Sequence, residues 1–99
     1  MPSGGHKVKW LRKALKNLEA EAEYIARDDP KAAASVIEKI RDAVMNLEQH
    51  PALGRPGRVP DTRELIVSGT PYIVPYRVKG KRIEVLRVFH SARRWPTEF

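Results

Sequence analysis

The stretch "EVLRVFHSARRWP", Glu84 to Pro96, begins as a β-strand and ends in a cluster of chemically capable side chains. His90 belongs to the residue type that exchanges protons near neutral pH. Arg87, Arg93 and Arg94 flank it and can neutralise an anion through charge-assisted hydrogen bonds. Arg63, Arg77, Lys81 and Arg82 fall on neighbouring segments of the same half of the chain. Two arrangements follow. In one, His90 is an acid or base and Arg87 and Arg93 stabilise charge, so that the cluster is catalytic. In the other, the cations hold an acidic partner and no bond is broken. A third is a basic interaction module with neither activity.

Each residue also has a plain structural reading. His90 can simply hydrogen-bond the tail. Arg93 or Arg94 can pair with Glu98 or another surface carboxylate, and Arg87 can be a buried arginine paired with a carboxylate such as Glu64. Trp95, like Trp10, can plug the core rather than stack on a base. His6 and His50 have no partners at metal-ligand spacing, so no metal and no cofactor is expected. "GRPGR", Gly54 to Arg58, lacks the Lys-Ser/Thr and following helix of a phosphate-cradling loop.

Charge bounds the partners. The chain has 99 residues, a net charge of +7 and no cysteine. Residues 1–50 hold nine lysines and arginines against eight acids, a net of +1, and residues 51–99 hold ten against four, a net of +6. That asymmetry favours polyanions such as RNA, DNA, the ribosome or an acidic protein segment. Absence of cysteine excludes disulfides and thiolate chemistry and suits a reducing compartment. There is no apolar leader in "MPSGGHKVKW" and no run long enough to span a membrane, so a cytoplasmic protein without membrane contact is expected.

Patterning supplies the elements. "HKVKW" alternates and reads as a short strand. Apolar residues at 11, 15, 18, 22 and 25 form one helical stripe. Asp29 and Pro30 start a second helix whose stripe is Ala33, Val36, Ile37, Ile40, Val44 and Leu47. "HPALGRPGRVPD" is a shaped loop. "TRELIVS", "PYIVPYRV" and "RIEVLRVFH" are three strands, the last two joined through Gly80. Pro75 interrupts the middle one and calls for a bulge, or for an N–H direction without a partner. Strict alternation would put Glu84, Leu86, Val88 and His90 on one face and Ile83, Val85, Arg87 and Phe89 on the other. The expectation is a single α+β domain over residues 1–99. Its small, twisted, mainly antiparallel sheet has the order β-α-α-β-β-β, with helices 11–27 and 31–49 packed as a hairpin on one face. His90 and the arginines then stand at the rim of the open face.

The ordered set "HPALGRPG", "RELIV", "PYIVPYRV" and "VLRVFH" resembles the RelE/ParE superfamily of toxins from bacterial type II toxin–antitoxin systems. The resemblance covers nearly the whole chain. It implies a growth inhibitor neutralised by a cognate antitoxin, and one of two targets. RelE-like members are metal-independent, ribosome-dependent mRNA endonucleases, in which arginines and an acid or base act on an attacked phosphate. ParE-like members poison DNA gyrase. For the nuclease, the resemblance implies catalytic roles for His90, Arg87 and Arg93, with Arg63, Arg77, Lys81, Arg82, Arg94 and Trp95 on RNA or antitoxin. The chain departs from the nuclease pattern at Ile73, where such enzymes carry an arginine, and at Ser91, with no tyrosine in the tail.

Overall fold

The computed structural model describes residues 5–96 and 98–99. Strand β1 (Lys7–Trp10) leads into helices α1 (Arg12–Ala26) and α2 (Pro30–Asn46). Five strands follow: β2 (Arg55–Pro56), β3 (Arg63–Ile66), β4 (Tyr72–Lys79), β5 (Arg82–Val85) and β6 (Phe89–His90). The sheet order is β1-β5-β4-β3-β2, with β6 also paired to β4. Only β1 and β5 run parallel among the described pairs; the others are antiparallel. The architecture is the expected α+β one, with two strands more than the periodicity gave.

The helices form because their apolar residues recur at helical spacing. Asp29 accepts a hydrogen bond from the Ala32 N–H at 3.1 Å, and Pro30 opens the first turn, so α2 starts where its capping residues dictate. Ala14 and Leu18 of α1, with Ile40 and Val44 of α2 and Leu47 just beyond it, share one core with Leu65, Tyr72, Val74, Tyr76, Ile83, Val85 and Val88. Even-numbered β4 residues therefore face the helices, and Ile73, Pro75 and Arg77 face the opposite, open side. The β4–β5 hairpin turns through Gly80 and Lys81. Gly80 has a φ of 59°, which the tight mirror-type hairpin turns favour.

Pro75 splits the last strand. Tyr76 pairs with Val85, and Ile73 pairs with Phe89. Two residues of β4 thus oppose three of the other strand, Leu86, Arg87 and Val88, which is a one-residue bulge. The carbonyl of Pro75 accepts from the Leu86 N–H at 2.9 Å. In a strand a residue's N–H and C=O point the same way, so the donor that proline lacks is missing on this side. The Val88 N–H instead donates to Asn17 Oδ1 of α1 at 3.2 Å.

The bulge corrects the alternation read from the sequence. It shifts the face assignment by one residue after Val85, so Val88 joins Ile83 and Val85 in the core. Phe89 takes the open face opposite Ile73, and His90 the helix-covered face opposite Tyr72.

Candidate functional site

On the helix-covered face, β6 sets the His90 ring edge-on to Tyr72, with centroids 5.5 Å apart and planes at 83°. His90 Nδ1 accepts the Ala92 N–H at 3.1 Å. The Tyr72 hydroxyl donates to Glu21 Oε1 at 2.8 Å, and Arg93 Nη1 donates to Glu21 Oε2 at 2.5 Å. The Arg93 guanidinium also lies 5.6 Å from the Tyr24 ring. Burial, and then the hydrogen bond to Glu21, push the Tyr72 hydroxyl up to about 12. Glu21 holds Arg93 above its ordinary value, chiefly through the hydrogen bond between them. Arg93 is therefore clamped to α1, and of the carboxylates open to it the partner is Glu21 rather than Glu98.

Other predicted cations have carboxylate or carbonyl partners. Arg77 donates to Glu84 Oε1 at 2.6 Å and Arg82 lies 3.4 Å from Oε2 of the same residue. The Arg77 hydrogen bond outweighs burial and keeps the Glu84 carboxyl below the usual range. Arg63 donates to the Gly54 carbonyl at 2.7 Å, fastening the loop ahead of β2. Tyr76 fastens the same loop: its hydroxyl accepts from the Gly54 N–H and donates to the Pro51 carbonyl, both at 2.8 Å.

Glu64 is not the partner of Arg87. Its carboxylate, 2 % exposed, accepts from Arg55 Nε and Nη2 at 3.2 and 3.0 Å, and from Arg58 N and Nε at 2.9 and 3.1 Å. Burial raises its pKa, but these hydrogen bonds prevail and hold it below the ordinary value. The guanidinium of Arg58 also stacks over Trp95, 3.6 Å from the ring centroid. Trp95 is buried, 4.7 Å from the Phe89 ring, and its Nε1 donates to the His90 carbonyl at 3.3 Å. The tail thus folds onto Phe89, and one face of the indole is taken by Arg58.

Arg87 rises from the bulge toward the open face, 5.9 Å from the Phe89 ring, and its Nε is buried with no hydrogen-bond partner among the described residues. Arg94 is exposed and in no ion pair among the described residues, and Lys81 is exposed at the hairpin turn. The rim grouping expected from the sequence is thus divided. His90 and Arg93 share the helix-covered edge through Tyr72 and Glu21, whereas Arg87, Arg77 and Arg82 lie on the opposite side. Sequence reasoning missed Glu21 and Tyr72. Glu21 lies off the apolar stripe of α1, where nothing in the pattern marks it, and the Tyr72–His90 pairing depends on a bulge whose position only the register reveals.

A sequence model of the ParE toxin of type II toxin–antitoxin systems matches residues 8–95. A candidate toxin of Sinorhizobium fredii, Y4kP, is 44 % identical over 90 residues, covering 91 % of this chain and 93 % of that protein. Toxin RelE2 of Caulobacter vibrioides is 33 % identical, covering 87 % and 96 %. Among solved structures, the chromosomal ParDE system of P. aeruginosa contains a chain that superposes with a TM-score of 0.79 at 35 % identity, covering 89 % of this chain and 98 % of that one. The RelBE2 toxin–antitoxin complex of Mycobacterium tuberculosis shares the fold at a TM-score of 0.60 and 24 % identity, covering 87 % and 98 %.

Proposed function

The chain belongs to the ParE toxin family of type II toxin–antitoxin systems, and on that premise we propose that it arrests growth by binding DNA gyrase rather than by cutting mRNA. The observation that carries this reading is the separation of the candidate catalytic groups. Metal-independent RNA cleavage needs an acid or base and a cation at one phosphate. Here His90 sits against Tyr72 on the helix-covered side with its Nδ1 occupied by the Ala92 N–H. Arg93 is spent on Glu21, and Arg87 lies across the sheet. Where the nucleases carry an arginine, Ile73 pairs instead with Phe89, which the Trp95 and Phe99 rings cover.

Neutralisation by a cognate antitoxin follows from the family, and the charge distribution supports how it docks. The second half of the chain carries ten cations against four acids, so an acidic or amphipathic antitoxin segment is steered to it. Steering of this kind appears in the association rate, which should fall steeply as salt rises.

The test is induced expression of the wild type and of His90→Ala, scored for growth, for new mRNA 5′ ends by primer extension, and for gyrase supercoiling. Both proteins should arrest growth and inhibit supercoiling without new mRNA ends. New ends produced by the wild type and abolished in a folded His90→Ala protein would restore the nuclease reading.

A further inference from the structure

A cavity of about 530 Å³ opens on the sheet face away from the helices, between the start of α1, the loop at 59–62 and the bulge. Its apolar walls are Leu11, Val59, Pro60, Leu86 and Phe99. Its charged lining is Arg12, Lys13, Arg77, Arg87 and Asp61. The volume falls within the roughly 300–1,000 Å³ of small-molecule sites, and it greatly exceeds what a lone inorganic anion fills.

The lining carries unspent positive charge. Arg77 is neutralised by Glu84 at 2.6 Å. Arg12, Lys13 and Arg87 make no ion pair among the described residues, and Asp61 is the single acidic side chain of the lining, so cationic side chains outnumber it three to one apart from the Arg77–Glu84 pair. Arg87 Nε is buried without an acceptor. A buried donor left unmatched costs free energy, and in a folded protein it calls for an explanation. The start of α1 adds to the field. Leu11 provides no side-chain cap, and the first turn holds no acidic residue but Arg12 and Lys13. Cations at the positive end of a helix repel its dipole, whereas an anion placed there relieves both.

We propose that this cavity binds a phosphate monoester carried on an apolar or planar body of about nucleoside size, with Arg87 as its anchor. A phosphate monoester carries about −1.5 to −2 at neutral pH and so complements this cationic lining more strongly than a single carboxylate does. Arg87 can offer its two terminal nitrogens to two phosphate oxygens, a bidentate geometry that guanidinium favours. The apolar walls take the body of the ligand. The site is independent of whether the toxin acts on gyrase or on mRNA.

The test uses the full chain and calorimetric titration with phenyl phosphate, inorganic phosphate and benzoate. Phenyl phosphate should bind saturably, at least tenfold tighter than either of the others, and should shift the Arg87 Nε–Hε resonance. Folded Arg87→Gln should weaken it tenfold or more. Should that variant not fold, the exposed double change Arg12→Ala/Lys13→Ala should weaken binding several-fold and flatten its salt dependence. AMP and a 5′-phosphorylated tetranucleotide distinguish the two sources of the group: comparable affinities identify the free nucleotide, and markedly tighter binding of the tetranucleotide identifies a strand end. No saturation by the wild type, benzoate binding as tightly as phenyl phosphate, or an unmoved Arg87 resonance would overturn the proposal.

Discussion

Replacing Glu64 with glutamine should lower stability far more than its place on a half-exposed arginine cluster would suggest. The carboxylate is 2 % exposed and accepts from both Arg55 and Arg58, whose side chains remain 49 % exposed. In Glu64→Gln the arginines return to water at little cost, so the Coulomb part of each pair is a small term. The larger loss is in charge-assisted hydrogen bonds to a buried acceptor, worth roughly 1.5–3 kcal/mol where the acceptor is ionised. Glutamine keeps one acceptor oxygen and turns an N–H₂ toward guanidinium donors. A net loss of about 2 kcal/mol at pH 7 follows, and with it a fall in Tm of about 8–16 °C for a chain of this size.

The pH dependence separates this explanation from a packing defect. The folded pKa of Glu64 is depressed, so its contribution is present above the ordinary carboxylate value of 4.5 and is lost as pH falls through the folded pKa below it. The gap between wild type and Glu64→Gln should therefore close on acidification, whereas a packing defect would persist. Thermal or urea unfolding at pH 7 and pH 3 measures both. A gap under about 0.5 kcal/mol at pH 7, or one unchanged at pH 3, would refute the reasoning. Because Arg58 also stacks on Trp95, the variant should red-shift Trp95 emission in a Trp10→Phe background.

Three further outcomes follow. Asn17→Ala should cost about 1–3 kcal/mol in urea unfolding, because it strips the Val88 N–H of its acceptor at the bulge. Gly54→Ala should cost about 1–3 kcal/mol, since an added Cβ would lie 2.6 Å from Tyr76 Cε1 and 3.0 Å from the Glu64 carbonyl. With its hydroxyl pushed up to about 12, Tyr72 should stay protonated at pH 10, and Tyr72→Phe should remove one ionising step from the high-pH end of the ultraviolet titration.

Those three residues mark the boundary of what sequence patterning conveys. The helix stripes, the Asp29–Pro30 start and the Gly80 turn were legible because each is set by local chemistry within a few residues. The plug reading of Trp95 was legible too, and its ring is buried against Phe89. The partners of the arginines were not legible. Glu64 chooses Arg55 and Arg58 because the proline-rich loop folds back to pair β2 with β3, a contact that no period announces.

Pro75 carried the most information, and its consequence was non-local. The residue called for an irregularity, and a bulge stands opposite it. A slip of one residue in a strand exchanges the faces of everything beyond it. From that slip, His90 goes to Tyr72 and the helices while Phe89 goes to the open face. Leu86 and Arg87, at the bulge, line a cavity on the open side. Arg87 and His90, three residues apart, lie on opposite faces with or without the bulge, and the bulge decides that the histidine takes the helix side. A Pro75→Val variant tests this causal chain, because valine restores the missing donor. If the bulge then resolves into a regular ladder, Phe89 and His90 exchange faces and the His90–Tyr72 contact is lost. A one-bond ¹H–¹⁵N spectrum with nuclear Overhauser contacts between the His90 and Tyr72 rings reads the result. Persistence of those contacts in a folded variant would show that Asn17, by holding the Val88 N–H, fixes the bulge without help from proline.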